Sequence, residues 1–383
     1  MQSRQMIRQL QRNHPGARII VTGCYAQIAP EEIESIDGVH AIVGHGRKSD
    51  LPELIVQAAA HADASPLYSV EKLNNDTPFA EPLVTAPGTR TRPFLKIQDG
   101  CNSFCTYCIV PYARGRSRSM RPGQVLHHLR HMGAMGYQEV VLTGIHLGAY
   151  GIDLNPPINL QTLLDQIETH QPVTRIRLSS IEPNELNRSI IDLAASSDIF
   201  CPHFHLPLQS GDDTILKKMH RPYTRDLFRQ QVLAIKNRMP QAAIGADVLV
   251  GFPGEDDHCF GNTAQLIEEL PLSYLHVFPF SRRPGTPACD YPDQIAPQVI
   301  KQRTARIREI GLEKKQVFMR SAVGQQAAVL VETRRDTGTG RLKGLTPNYL
   351  SVLLEGDDCH MNTVVSVVIE SVYNDRSLFG RIV

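Results

Sequence analysis

Three cysteines of the 383-residue chain stand close enough together to share one metal centre. Cys101, Cys105 and Cys108 form a C-x3-C-x2-C triplet in the stretch GCNSFCTYC, and the remaining cysteines are scattered. A structural zinc site usually takes four ligands in paired C-x2-C spacing, and the sequence has no second pair. Three thiolates suit a 4Fe–4S cluster that leaves one iron open to an outside ligand. The triplet therefore predicts a catalytic iron–sulfur site, with zinc or three unrelated buried thiols as the alternatives.

A repeating strand–helix pattern surrounds the triplet, which follows the strand-like run Phe94–Ile97. Repeated β–α units of this size favour parallel strands joined by right-handed crossovers. We therefore predict an α/β fold, a partial (β/α)6 barrel over residues 86–317. Its further predicted strands are Glu139–Thr143, Arg175–Ser180, Phe204–Leu208, Gly245–Val250 and Tyr274–Phe280, and its predicted helices include Pro122–Met135, Leu160–Thr169, Thr224–Arg238 and His258–Leu270.

Polar or glycine-containing segments follow several of these strands, at the barrel end where such folds carry their chemistry. Any one of them has an ordinary interpretation as a loop residue or a helix cap. Because the loops should meet at one rim, the group as a whole predicts a ligand-binding site. The candidates are Thr143 and Gly144 after the second strand, Ser180 and Glu182 after the third, Gln209 after the fourth and Gly251 after the fifth.

Separate domains are predicted on both sides of the barrel. Residues 1–85 indicate an α/β domain, with an exposed helix that carries Met6 and Leu10 on one face before a strand over 17–23. A polar, proline-containing linker over 65–87 closes this domain. Residues 318–383 indicate a small antiparallel β-barrel, and its predicted strands are Ala327–Glu332, Leu342–Leu345, Tyr349–Leu354 and Thr363–Val372.

The composition excludes several classes of protein. Hydrophobic residues make up 42% and charged residues 21% of the chain, and no apolar run approaches the roughly 18 residues of a membrane span. Residues 1–30 hold four arginines and no acidic residue, which superficially suits an organellar transit peptide. Because the helical pattern there leads directly into a domain, and no secretory signal is found, we expect a cytoplasmic protein.

Taken together, these patterns resemble the radical S-adenosylmethionine (SAM) methylthiotransferases over nearly the whole chain. The superfamily signature is the triplet with an aromatic residue before its third cysteine, here Tyr107. The stretches GCYAQ, LTGIHLGAYG and HVFPFSRRPGTPA resemble the branch that acts on N6-threonylcarbamoyladenosine in tRNA. Branches that modify isopentenyladenosine in tRNA, or an aspartate of a ribosomal protein, match less well. The stretches that carry the family resemblance are GCYAQ (23–27), PFLKIQDGCNSFCTYCIVPYARGRSRS (93–119), LTGIHLG (142–148), SSIEP (179–183), HLPLQSG (205–211) and GFPGE (251–255).

The resemblance implies a reaction in which a methylthio group replaces the hydrogen at C2 of the adenine next to the anticodon. The amine and carboxylate of SAM would chelate the open iron of the triplet's cluster, and an electron would cleave SAM to a 5′-deoxyadenosyl radical. Tyr107 would lie near the adenine of that SAM. The resemblance also implies an N-terminal α/β domain, a radical SAM core, a C-terminal RNA-contacting TRAM domain, an electron donor of flavodoxin or ferredoxin type, and a sulfur donor.

The chain departs from the family pattern in its N-terminal cysteines. The family holds a second, auxiliary 4Fe–4S cluster on three N-terminal cysteines, and only the last of them, Cys24, is present in this sequence. The other two would lie upstream of Met1, so we expect either an incomplete chain or a variant with a damaged sulfur site. Cys201, Cys259, Cys289 and Cys359 read as core or incidental thiols rather than as replacements. A partial protein that cleaves SAM and binds tRNA without inserting sulfur is therefore a further hypothesis.

A tRNA substrate should leave an electrostatic footprint even in a chain of net charge +1. Residues 86–130 contain eight basic residues and one acidic residue, and residues 301–320 contain seven and two. Residues 318–383 contain seven basic and seven acidic residues, so their charges balance. Solvated helix faces explain part of 301–320, and Arg114 has an alternative role beside the cluster or SAM. The RNA-binding candidates behind the triplet are Arg114, Arg116 and Arg118. The C-terminal barrel is the weaker case, and its candidates are Arg334, Arg335, Arg341, Lys343 and Tyr349.

Overall fold

The computed structural model describes residues 2–60, 65–71, 73, 77, 79–81 and 90–383. These residues form two compact units. Of the described residues, the first unit contains those from 2 to 81 together with 99–104 and 108–118, and the second contains 90–98, 105–107 and 119–383. The predicted linker over 65–87 lies partly outside the described residues, and its described part contains a short strand, Leu67–Ser69.

The first unit is a small α/β layer built on parallel strands in the order β1-β2-β3. Its hydrophobic core includes Ile19, Ile33 and Ile42. On the first helix Met6 and Leu10 are exposed, and Ile7 is buried in this core. The elements are α1 Gln2–Asn13, β1 Ile19–Thr22, α2 Cys24–Ile28, α3 Pro30–Glu34, β2 Val39–Val43, α4 Leu51–Ala60, β3 Leu67–Ser69 and α5 Val110–Arg114.

The second unit contains the predicted barrel. Strands β4, β6 and β7 are parallel neighbours, and so are β8, β9 and β10. Isolated parallel bridges, Ile176 with Phe200 and Ser180 with His205, connect the two sheets. The parallel order along the chain confirms the partial barrel. Its strands are β4 Phe94–Asp99, β5 Arg118–Ser119, β6 Glu139–Gly144, β7 Arg175–Leu178, β8 His203–Gln209, β9 Ala243–Val250 and β10 Tyr274–Pro279.

Helices alternate with these strands as the sequence predicts, and side-chain caps fix where several begin. Asn159 accepts the backbone N–H of Thr162, and Thr224 accepts that of Leu227, each satisfying a donor that the first helical turn leaves open. Two short helices, α8 and α9, were not predicted. The helices are α6 Pro122–Ala134, α7 Leu160–His170, α8 Arg188–Ser196, α9 Asp213–Lys218, α10 Arg225–Arg238, α11 Asp257–Glu269 and α12 Pro297–Ser321.

A closed barrel follows α12, with the strand order β11-β12-β13-β15-β14. It matches the predicted small barrel, but it has an additional strand, β15, and β15 pairs with β13 in parallel rather than antiparallel fashion. Its core is aliphatic, with Val329, Val352 and Val367 completely buried. The strands are β11 Gln326–Val331, β12 Leu342–Leu345, β13 Ser351–Leu354, β14 Val364–Val372 and β15 Leu378–Ile382.

The C-terminal barrel is bound to the base of the α/β barrel by buried arginines. Arg177 forms a bidentate pair with the carboxylate of Glu139, at 2.7 and 3.2 Å, and also donates to the carbonyl oxygen of Pro347 at 2.8 Å. Arg175 donates to the carbonyl oxygen of Ala328 at 2.9 Å. These contacts make the two barrels parts of one packed unit. Among the described residues, no helix combines the length and the apolar character that crossing a membrane requires.

Candidate functional site

The loop that carries the triplet is held in a fixed backbone conformation. Gly100 has φ +73°, and a Cβ at this position would collide with the carbonyl oxygen of Arg116, so glycine is required. The Cys101 N–H donates to the carbonyl oxygen of Gly115 at 3.1 Å, and the Ser117 N–H donates to Oδ1 of Asn102 at the same distance. The segment directly after α5 therefore anchors the first part of the loop.

Hydrogen-bond donors point at the sulfurs of Cys101 and Cys105. The Ser103 N–H lies 3.4 Å from Sγ of Cys101, and a guanidinium nitrogen of Arg221 lies 3.2 Å from Sγ of Cys105. Cys105 is buried, whereas Cys101 and Cys108 are half-buried. Positive charge and N–H donors favour a thiolate over a thiol, and thiolates are what an iron–sulfur cluster requires. The residues of this loop therefore fit a 4Fe–4S cluster.

Arg221 organises the polar groups of the second unit around Cys105. Its guanidinium forms an ion pair with Glu182, the predicted ligand residue after β7, and lies 3.1 Å from the hydroxyl of Tyr223. That hydroxyl donates to the carbonyl oxygen of Pro207 at 2.7 Å. Burial alone would lower the pKa of Arg221, but the surrounding tyrosines, Glu182 and Cys105 hold this pKa above its usual value. The sequence analysis missed Arg221 because it lies 116 residues from Cys105, with no spacing pattern linking them.

The predicted rim residues lie at or just beyond the carboxyl ends of their strands. Gly144 ends β6, and a Cβ there would stand 2.9 Å from Oε1 of Gln98. Gln209 ends β8 with a positive φ of 60°. Thr143 is half-buried beside Gly144, and Ser180 is exposed just beyond β7. Their position at one end of the strands agrees with the prediction, and their roles in binding a ligand stay predictions.

Tyr107 lies in a hydrophobic group at the same rim. Its ring packs edge-on against Phe252, with centroids 6.4 Å apart, and burial raises the pKa of its hydroxyl well above the usual value. Gly251 directly precedes Phe252, has φ +82° and donates its N–H to Oε1 of Glu255 at 3.0 Å. Burial raises the pKa of Glu255 to about 7, although Arg303 lies 3.0 Å from the same oxygen. A protonatable carboxyl group therefore supports the Gly251 turn from inside the fold.

Cys24 lies at the start of α2 in the first unit. Arg114 interacts with Cys24 and with Asp99, whose Oδ1 it approaches to 3.3 Å, and Asp99 in turn accepts from His45 at 3.2 Å. Burial lowers the pKa of Arg114, but Cys24 and Asp99 outweigh that effect and raise it. These contacts favour the interpretation that Arg114 serves the surroundings of the cysteines rather than RNA.

The other cysteines lie in ordinary positions. Cys201 and Cys259 are buried, and burial raises the pKa of each thiol to about 12. Such thiols are poor metal ligands at neutral pH. Cys289 is half-buried and Cys359 exposed. Burial and pKa therefore support the interpretation of Cys201 and Cys259 as core thiols.

The RNA-binding candidates differ in how far solvent reaches them. Arg116 is exposed, with its guanidinium 5.1 Å from the ring centre of Phe104. Arg118 is buried and donates to the carbonyl oxygen of Arg114 at 2.9 Å, so its burial argues against a phosphate contact. Arg341 and Lys343 are half-buried on the C-terminal barrel, at 3.4 Å from Glu355 and 3.9 Å from Glu332 respectively. The positive charge of Arg341 and Lys343 is thus partly neutralised.

A polar group that the sequence analysis did not identify lies on three neighbouring strands. Oδ1 of Asp247, on β9, is 2.9 Å from Nε2 of His205 on β8 and 3.2 Å from Nδ1 of His276 on β10. Burial would raise the pKa of Asp247, but the hydrogen bonds from the two imidazoles hold it well below its usual value. Nδ1 of His205 lies 3.2 Å from the hydroxyl of Tyr274.

The ligand atoms of His205, Asp247 and His276 lie within 4.8 Å of one another, and we call these residues the strand triad. Both histidines begin motifs that the sequence analysis singled out, HLPLQSG and HVFPFSRRPGTPA. Asp247 was in no motif. Only the parallel register, which pairs His276 with Asp247, brings the three together.

Comparisons with known proteins agree with this geometry. The model of the radical SAM superfamily matches residues 95–267. The threonylcarbamoyladenosine tRNA methylthiotransferase MtaB of Bacillus subtilis (strain 168) is 37% identical over 370 residues, which cover 96% of this chain and 81% of that protein. MtaB of Aquifex aeolicus (strain VF5) is 36% identical, over 92% of this chain and 84% of its own. The tRNA-2-methylthio-N(6)-dimethylallyladenosine synthase of Pelotomaculum thermopropionicum is 34% identical, over 95% and 81%.

A solved structure resembles the fold. The radical SAM methyltransferase TsrM from Kitasatospora setae, determined with a tryptophan substrate and a SAM analogue, aligns with a TM-score of 0.54. The alignment covers 87% of this chain and 64% of that protein, at 15% sequence identity. A likeness at this identity concerns the fold alone, and it agrees with the partial barrel described above.

Proposed function

Because this chain belongs to the radical SAM methylthiotransferases, we propose that it converts N6-threonylcarbamoyladenosine, next to the anticodon of tRNA, to its 2-methylthio derivative. The observation that carries the proposal is the identity of 36 to 37% with the B. subtilis and A. aeolicus enzymes over more than nine tenths of the chain. The reaction replaces a hydrogen on C2 of adenine. That hydrogen is not acidic, so a general base cannot remove it and a radical route is required.

Cys101, Cys105 and Cys108 are the residues that would hold the 4Fe–4S cluster. When bound there with SAM, the cluster supplies the electron that cleaves SAM homolytically. Arg221 favours the thiolate form of Cys105 through its 3.2 Å contact and holds the Glu182 carboxylate at the rim. Tyr107 and Phe252 supply an apolar surface beside them. The rim residues that we assign to SAM are Tyr107, Thr143, Gly144, Ser180, Glu182, Gln209 and Gly251.

The remaining assignments follow from family membership and from the position of each segment. Residues 1–85 would form the methylthiotransferase N-terminal domain, 86–317 the radical SAM core and 318–383 a TRAM domain. Cys24 would be a ligand of the auxiliary cluster. Arg116, Arg341 and Lys343 would contact tRNA phosphates, which position the substrate without reading its sequence. The protein would act in the cytoplasm with a flavodoxin or ferredoxin as electron donor and a separate sulfur donor.

The test is mass spectrometry of nucleosides from tRNA that carries threonylcarbamoyladenosine, after incubation with the reconstituted protein, SAM and a reductant. We expect the 2-methylthio nucleoside, and we expect Cys105→Ala to abolish both this product and the formation of 5′-deoxyadenosine. Cys289→Ala is the matched control, because that cysteine lies outside the triplet, and it should leave both products unchanged. If Cys105→Ala cleaves SAM at the wild-type rate, the cluster assignment is wrong.

Two alternatives are separated by varying the substrate in this experiment and by measuring iron. The dimethylallyladenosine synthase of P. thermopropionicum, at 34% identity, makes an isopentenyladenosine substrate the second candidate, and tRNA carrying that nucleoside tests it. The second alternative is SAM cleavage without sulfur insertion. Iron analysis distinguishes that case, since two 4Fe–4S clusters contain about eight irons per chain and one cluster contains about four.

A further inference from the structure

We propose that His276, held by Asp247 of the strand triad, forms a hydrogen bond with the polar substituent on N6 of the substrate adenosine and so selects it over an apolar one. The inference rests on the proposed function. It deepens that function by assigning a substrate-recognition site within the barrel.

The strand triad lies on the inner face of the barrel. The side chain of Leu275 on β10 points toward α12, because a Cβ at Gly311 of that helix would lie 3.2 Å from it. Arg308 of α12 also donates to the carbonyl oxygen of Val277 at 3.3 Å. Successive side chains of a strand point to opposite faces, so Tyr274 and His276 point away from α12. On β9 the ring of Tyr274 fills the space where a Cβ of residue 245 would lie, which places position 245, and therefore Asp247, on that same face.

Along β9 the triad lies two residues before the rim to which we assign SAM. Leu249 follows Asp247 by two residues on the same face of β9, about 7 Å further along the strand. Leu249 packs in the same hydrophobic group as Tyr107, Phe252 and Phe280. A nucleobase held near Tyr107 would therefore have its substituents within reach of the triad.

The chemistry of the triad suits a polar ligand. Asp247 binds Nδ1 of His276 and fixes the ring, while 54% of the His276 side chain remains exposed. The other ring nitrogen, Nε2, accepts a hydrogen bond when the imidazole is neutral and donates one when it is protonated. The threonylcarbamoyl group offers a hydroxyl to the neutral ring and a carboxylate to the protonated ring, whereas an isopentenyl group offers nothing. A site built for hydrogen bonds discriminates strongly against an analogue that cannot make them.

Aromatic side chains complete a surface for the base. The rings of Tyr274 and Phe278 lie 5.4 and 6.4 Å from His276, and Phe278 is half exposed. Nucleobases displaced from a stack are commonly received on such rings. Below them the hydroxyl of Tyr274 is already engaged, because Nε2 of His203 lies 2.8 Å from it. The exposed end of the triad is thus the part that faces a ligand.

The test measures how tightly the whole reconstituted chain binds anticodon stem-loop RNAs. These RNAs differ only in the nucleoside next to the anticodon. We expect the wild type to bind the threonylcarbamoyl RNA about ten- to a hundredfold more tightly than the isopentenyl RNA, as one charge-assisted hydrogen bond allows. His276→Phe should lose this preference but keep its affinity for RNA with unmodified adenosine. His276→Asn, which can still donate to Asp247, should retain part of the preference, and His127→Phe, at an exposed helix position, should retain all of it.

The outcomes separate this proposal from the proposed function. If the wild type shows no preference, or His276→Phe keeps it, the recognition site is wrong, even where methylthio product forms. If the preference depends on His276 but no product forms on either RNA, the recognition site stands and the proposed reaction fails. The three side chains could also hold a metal ion, so the non-iron metal content is measured on the same samples. A stoichiometric metal that His276→Phe loses would overturn the proposal.

Discussion

Replacing Arg221 with methionine is the most informative perturbation of the site. The side chain is only 5% exposed and serves three partners, the Glu182 carboxylate, the Cys105 sulfur and the Tyr223 hydroxyl. Removing one member of a buried ion pair costs about 3–5 kcal/mol, because the remaining charge is left unpaired. Glu182 is 19% exposed, so water compensates part of this loss and the lower end applies. We expect the free energy of unfolding to fall by about 3 kcal/mol.

The assay is chemical unfolding of the apoprotein, followed by SAM cleavage by the reconstituted protein. Arg221→Met should shift the unfolding midpoint and lower both cluster content and the yield of 5′-deoxyadenosine. Arg221→Lys, which keeps a charge but not the planar fork, should recover only part of each loss. Arg229→Met is the matched control, because its pair with Glu269 is about one third exposed on each side and should change stability by less than about 1 kcal/mol.

A double substitution decides whether the ion pair is the cause. In Arg221→Met with Glu182→Gln the unpaired charge is absent, so the double variant should be more stable than Arg221→Met alone. The reasoning is refuted if Arg221→Met unfolds like the wild type. It is also refuted if the two substitutions add without coupling.

Two further predictions concern the support of the site. Glu255 has a folded pKa of about 7 against an ordinary 4.5, so the folded state binds the extra proton and its stability should fall by up to about 3 kcal/mol as pH rises from 4.5 to 7. Glu255→Gln should remove that dependence in chemical unfolding measured across the range, and parallel curves would contradict the prediction. Gly100→Ala should destabilise the protein by about 2 kcal/mol or more and reduce iron content, because of its positive φ and the Arg116 carbonyl. Gly123 lies in a helix, and the space that a Cβ would occupy there is open. Gly123→Ala should therefore be neutral or slightly stabilising in the same measurements.

Local patterns in the sequence predicted most of the strands and helices of the α/β barrel. The strands of the partial barrel have strong apolar runs and helical patterns between them, so their type and parallel order could be predicted. The cysteine triplet is local as well, and its chemistry follows from spacing. The C-terminal barrel was predicted with four strands, and β15 was missed because LFGRI is short and contains glycine and arginine.

What the sequence could not predict depends on contacts between distant segments. Arg221 approaches Cys105 only because the turn after α9 returns to the rim, and nothing near Arg221 indicates a sulfur partner. The strand triad forms only in the observed register of β8, β9 and β10. A shift of one residue in a strand would turn its side chains to the other face of the sheet. On α1 the sequence analysis did not single out Ile7, whose burial depends on packing against the rest of the first unit.

The C-terminal barrel closes the lower end of the α/β barrel. The ring of Tyr349, from the turn between β12 and β13, lies 4.5 Å from that of His203 and 5.7 Å from that of Tyr274, and the guanidinium of Arg177 lies 5.2 Å from its centre. Tyr349 thus packs under the strand triad, but 41% of the residue is exposed, so its contact with RNA stays a prediction. Local opening of the C-terminal barrel would admit water to the lumen from below. The amides of β8 and β13 should therefore exchange with deuterium as one cooperative unit.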